Sequence, residues 1–206
     1  MLLICGTRLM TEQQQADWAA LLDRLADRQV AAPVDDPLLF HGTSQARAEA
    51  ILSGGFDPGT SWVSTRERSG GPGGPAPCVF WTNDVAMAAK FASNKSGFDE
   101  GFPVILMARL SDVLASGTPV PDRNTWICDT DEDPELEPHG WRDSLETLRA
   151  IAVLGCRRVE NLEADSIVPW GVRPDPAVGY AWAEEWNREG QLLRAGADRG
   201  TPAAAP

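Results

Sequence analysis

Leu38-Leu-Phe-His-Gly-Thr-Ser44 decides how the chain is read. Leu38-Leu39-Phe40 is a short apolar run after a turn at Pro33 to Pro37, and it reads as a buried strand. Ala46, Ala48, Ala50, Ile51 and Leu52 then supply a helix, with Thr43 or Ser44 as its N-cap and Gly54-Gly55 as its end. His41 thus falls where a strand stops and a helix starts. Gly42 has no side chain, which opens the backbone there to close approach by a ligand. The spacing alone leaves His41 two roles of equal weight, ligand contact or cap at a strand–helix junction.

Upstream, Trp18, Leu21, Leu22 and Leu25 form one stripe of a helix over Thr11 to Arg28, closed by Ala31-Ala-Pro33. Downstream, Asp57-Pro-Gly59 and the Gly/Pro-rich run Ser69 to Pro77 predict a mobile loop over 57–77. Cys78-Val-Phe-Trp-Thr82 is apolar and β-prone. Asn83 or Asp84 caps the next helix, predicted through Ala92, with Val85, Ala88, Ala89 and Phe91 on one face. Pro103 to Leu110 is the clearest strand signal in the chain. Residues 112–140 read as irregular, because Asp129 to Glu137 holds three Asp and three Glu. Asp143 and Glu146 have capping-box spacing, which predicts an amphipathic helix through Leu145, Leu148, Ile151 and Ala152 to Gly155. Strands follow over Arg157 to Leu162 and Ser166 to Trp170, then a last helix over Ala177 to Leu193 and a disordered tail. Strands in succession in the second half, and no G-x-G-x-x-G after the first, favour α+β over a doubly wound parallel sheet.

Composition narrows the function. The 206 residues carry 30 Asp+Glu against 18 Lys+Arg, a formal charge of −12. That balance opposes a duplex nucleic-acid partner and an anionic membrane surface. Lys90 and Lys95 are the only lysines, a scarcity that reads as coding bias. Two histidines, His41 and His139, exclude a histidine-rich zinc site, and no metal is expected. Four scattered cysteines without a C-x-x-C pair, no apolar run of membrane length and no signal-peptide pattern point to a cytoplasmic protein.

The segment 38–44, continued by Ala48, Ile51 and Gly54-Gly-Phe56, resembles the opening of the ADP-ribosyltransferase fold of the poly-ADP-ribose polymerase and diphtheria-toxin kind. Cys78 to Ala92 looks like that family's second landmark, a strand with an aromatic residue followed by a helix. Leu154-Gly-Cys-Arg-Arg-Val-Glu160-Asn-Leu, with Ile167-Val-Pro169 beyond, is similar to its terminal strand with the catalytic glutamate. The resemblance covers roughly residues 37–170. It implies a split β-sheet core with flanking helices: a helical segment over 1–30, the transferase-like domain over 31–175, a helix over 176–195 and a tail over 196–206.

The resemblance further implies an NAD-dependent mono-ADP-ribosyltransferase, with NAD as substrate and a protein, nucleobase or small molecule as acceptor. His41 would bind the adenosine-side ribose hydroxyl, and the Gly42 backbone, beside Thr43, would hold the nicotinamide amide. Phe80 and Phe91 would stand for the two aromatics, and Ala88 for a serine of many relatives. Glu160 would bind the nicotinamide ribose as the catalytic carboxylate, with Glu163 in reserve. Phe80 donates no hydrogen bond and Ala88 carries no hydroxyl. Those two departures motivate the alternative of an inactive binding module. An RNA 2′-phosphotransferase is the weaker alternative, because the acidic balance offers no basic groove. Trp81, on the opposite side of its strand from Phe80, reads as packing.

Overall fold

The structure is a computed structural model and describes residues 12–57, 78–99, 102–129 and 133–167. The helix expected over Ala177 to Leu193, the tail, most of the loop over 57–77 and the strand residues 168–170 lie outside the described residues. The fold is α+β, a six-stranded antiparallel sheet with helices packed against it.

The chain begins with α1 (Glu12–Ala31), β1 (Leu38–Ser44), α2 (Gln45–Gly54), β2 (Cys78–Thr82), α3 (Val85–Asp99) and β3 (Pro103–Arg109). It continues through α4 (Leu110–Ala115), β4 (Thr118–Pro121), α5 (Arg123–Asp129), a 3₁₀ turn at Pro134–Leu136, α6 (Trp141–Thr147), β5 (Ala150–Leu154) and β6 (Glu163–Ser166). The strand order is β4-β5-β2-β1-β3-β6. Pro119 and Pro121 sit in β4 at the sheet's edge, where a missing ladder donor costs least.

Strand alternation sorts the core into two layers. Leu39, Val79, Trp81, Leu106, Ile151 and Val153 meet Ala48, Val113 and Leu145 on one face. Leu38, Phe40, Ile105 and Met107 meet Trp18, Leu21 and Leu25 of α1 and Ala88, Ala89 and Ala92 of α3 on the other. The expected α1 stripe is therefore the buried one. Arg24 grips Asp165 through two guanidinium nitrogens, and Arg28 pairs with Glu163 at 2.8 Å, which ties α1 to the edge strand β6.

Several boundaries differ from the sequence reading. β1 runs on through Ser44, so His41 lies in mid-strand, opposite Leu106 of β3, and not at a strand end. The segment 112–140 contains α4, β4 and α5. The helix expected to reach Gly155 ends at Thr147, because Arg149 takes a left-handed backbone (φ 58°) and turns the chain into β5. Ala150 to Leu154 then pairs along its length with β2 and supports β4. Asp143 accepts from the backbone amide of His139 at 2.8 Å, and Gly140, not Asp143, occupies the N-cap position of α6. Residues 157–162 are not a strand. The Arg157 carbonyl accepts from the Phe56 amide, Val159 turns into the core, and Glu160-Asn161 forms a turn with Asn161 at φ 52°.

Candidate functional site

β1 lies along β3 over seven register pairs, but it meets β2 at one, Phe40 with Thr82. Beyond that pair the two strands part, and the sheet has an open seam. His41 bridges its start, with Nδ1 2.9 Å from the Phe80 carbonyl oxygen. A carbonyl only accepts, so Nδ1 carries the hydrogen and Nε2 of the neutral ring is left as an acceptor.

A cavity of about 720 Å³ occupies this seam, within the range of small-molecule sites. His41, Gly42 and Thr43 of β1 line it, as do Phe80, Trp81 and Thr82 of β2. From α3 come Met87, Lys90, Phe91 and Lys95, a stripe at helical spacing. Arg47 and Ile51 of α2, with Phe56 and Asp57 just after it, form the opposite side. Asp122, Asn124, Thr125 and Ala150 close the end. Phe91 keeps 44% of its surface exposed, an aromatic face open to the cleft. A second cavity of about 530 Å³, near Trp141 and Arg149, includes none of the expected site residues.

The imidazole of His41 is packed by rings. Phe56 meets it edge-on at 5.5 Å between centroids, and Trp81 lies tilted at 5.7 Å. Burial pushes the His41 pKa below its ordinary value, and the charges of Lys95 and Arg47 push the same way, while the bond to Phe80 opposes them. The unfolded chain therefore takes up a proton at higher pH than the folded one. Stability from this residue is full above the ordinary histidine value, and is lost as pH falls from there towards the lower folded value. Urea midpoints for wild type and His41→Gln at pH 7.5 and 5.5 check this. The wild type should lose more stability on acidification than the variant; equal losses contradict the assignment.

The cleft gathers five of the six expected site residues, His41, Gly42, Thr43, Phe80 and Phe91, and leaves out Glu160. Glu160 is exposed on the turn before β6, away from the cavity wall. Glu163 is paired with Arg28 on the edge strand, two strands from β1. The carboxylates on the wall are Asp57 and Asp122. Asp122 is 4% exposed and caps α5: its oxygens accept from the Thr125 amide at 3.1 Å and the Thr125 hydroxyl at 2.8 Å. The buried Ser144 hydroxyl lies 3.0 Å from the Asp122 amide, whose hydrogen it accepts, and donates to the Ala150 carbonyl at 2.6 Å. It thus fixes two wall residues side by side.

Two residues near the cleft pack helix α3 against the sheet. A Cβ on Gly42 would lie 1.9 Å from the Ala88 carbonyl oxygen, so the missing side chain admits helix α3, and the residue also lines the cavity. Ala88 is fully buried in that same contact and does not line the cavity. Trp81 is both packing and wall. Sequence reasoning missed Phe56, Lys90, Lys95 and Asp122. The lysines had a signal: the chain's only two stand on one cavity, which the reading as coding bias passed over.

Among the described residues no cluster of His, Cys, Asp and Glu could hold a metal ion, and no helix is long and apolar enough to cross a membrane. The chain matches no protein-family model, no curated protein and no solved structure.

Proposed function

We propose that the chain is an NAD-dependent mono-ADP-ribosyltransferase on a split-sheet core, with the seam between β1 and β2 as its NAD cleft. The observation that carries this reading is the convergence of His41, Phe80 and Phe91, from three elements, on one cavity beside the single-pair seam. In this reading Nε2 of His41 accepts from a ribose hydroxyl, and the phenylalanine rings flank the nicotinamide. The bond from C1′ of the ribose to the nicotinamide nitrogen breaks, and its electron pair leaves with the neutral ring. The positive charge that develops on the sugar calls for a carboxylate nearby. Asp122 is the buried carboxylate on the wall, so it takes the role that the resemblance gave to Glu160. The acceptor's lone pair then bonds to C1′, and the acceptor releases a proton.

A second reading, a module that holds NAD without cleaving it, is favoured by one observation: Glu160 stands on an exposed turn. Release of free nicotinamide from NAD, followed by chromatography beside a binding titration, separates the two. Transferase activity predicts nicotinamide release that falls about tenfold or more in Phe91→Ala, through loss of the stacked ring. Binding without release supports the module, and neither binding nor release rejects both.

A further inference from the structure

We propose that Arg47, Lys90 and Lys95 form a diphosphate subsite in this cleft, so that its ligands are organic diphosphates as a class and not nicotinamide compounds alone. The proposal rests on the reading of the seam as the NAD cleft and names the part of the ligand that is gripped.

Three cations from two helices face one cavity, Arg47 from α2 and both lysines from α3. The chain as a whole is acidic, at −12, and it has only two lysines in 206 residues. Their meeting on one wall is a local reversal of the overall charge. Two carboxylates share the wall. Asp57 stands on the α2 side and Asp122, bonded to Thr125, stands on the α5 side, so the three cations outnumber the two carboxylates on the wall. Lys95 and Arg47 also lie close enough for their charges to act on His41 at the seam.

The arrangement on α3 separates chemistry along the helix. Met87 and Phe91 are four residues apart, and Lys95 continues the same stripe. A flat ring against Phe91 thus leads to a charged group at Lys95. Lysine on a flexible stem meets phosphate oxygens as a point charge, and an arginine fork pairs with a phosphate through two donors. Three cations on two sides of a cleft fit two linked phosphates better than one.

Calorimetric titrations with NAD, ADP, inorganic pyrophosphate and nicotinamide test this on wild type, the Lys90→Ala/Lys95→Ala double variant and Arg47→Ala. Lys90 is exposed and Lys95 and Arg47 are partly so, and circular dichroism checks that each variant is folded. The double variant should weaken ADP and NAD by about a hundredfold, and Arg47→Ala by about tenfold, the scale of hydrogen bonds to charged groups. Nicotinamide binding should not change, and added salt should weaken ADP binding to wild type more than to the double variant. ADP and NAD binding to the double variant with wild-type affinity overturns the subsite and leaves the NAD cleft standing. ADP and pyrophosphate binding that depends on the lysines, with no NAD binding, keeps the subsite and removes the NAD reading. A wild type that binds none of the phosphates overturns both.

Discussion

Gly42→Ala is expected to destabilise the protein by more than about 3 kcal/mol, enough to leave most of the chain unfolded or insoluble, on the scale of severe core overpacking. The added Cβ would lie 1.9 Å from the Ala88 carbonyl oxygen and 2.6 Å from the Ala92 nitrogen. Both are backbone atoms of α3, so no side-chain rotamer relieves the clash. The helix has to move off β1, and it carries with it Ala88, Ala89 and Ala92 of the buried layer and the cavity stripe Met87, Phe91 and Lys95. Gly54→Ala is the matched control. It ends α2 with nothing within 4 Å of its would-be Cβ, and should be neutral or stabilise by about 0.5–1 kcal/mol. Urea unfolding of the two variants measures the contrast. Equal midpoints would mean that α3 does not pack on β1 as described.

Asp122→Asn is expected to lower nicotinamide release by roughly a hundredfold or more, the usual scale for removing one charge-stabilising group. Asparagine caps helices as well as aspartate does, so the thermal midpoint should move little. Glu160→Gln, on the exposed turn, should release nicotinamide at the wild-type rate. The reverse pattern, activity lost with Glu160 and kept without the Asp122 charge, returns the catalytic role to the turn. Ser144→Ala adds a positional check. It removes the hydroxyl that joins the Asp122 amide to the Ala150 carbonyl, and should reduce the rate without touching the ligand itself.

The strands around the seam were legible where local pattern and tertiary role agreed. Cys78 to Thr82 and Pro103 to Arg109 are apolar runs bounded by turn formers, and both are strands in the sheet. Ala150 to Leu154 was not legible as a strand. Its residues continue the helical spacing of Leu145 and Leu148, and the change of state depends on one left-handed residue, Arg149. Pairing with β2 overrides the local preference, which a window of sequence does not contain. The edge strand β4 is four residues with two prolines, too short and too broken for a periodic signal.

The site divides in the same way. His41, Phe80 and Phe91 were placed by the family resemblance, on elements whose local pattern was strong enough to carry it, and all three line the cleft. Glu160 was placed by assuming that the strand ran through Arg157 to Leu162, and Asn161 turns the chain there instead. Asp122 gave no local sign, because its burial depends on Ser144 and Thr125 folding back over it. Gly42 was read as a place of close approach by a ligand; a helix backbone fills the space of its missing side chain, which no local pattern announced, and the residue lines the cavity as well. The acidic composition holds for the chain and not for the cleft, where both lysines and Arg47 gather.

The most direct test of the central claim is a crystal structure of the protein with a non-hydrolysable NAD analogue. The account predicts density in the seam between β1 and β2, with a ribose hydroxyl at Nε2 of His41, the nicotinamide against Phe80 and Phe91, and the diphosphate at Lys90, Lys95 and Arg47. An analogue bound elsewhere on the molecule, or a seam that stays closed to it at saturating concentration, would contradict the account.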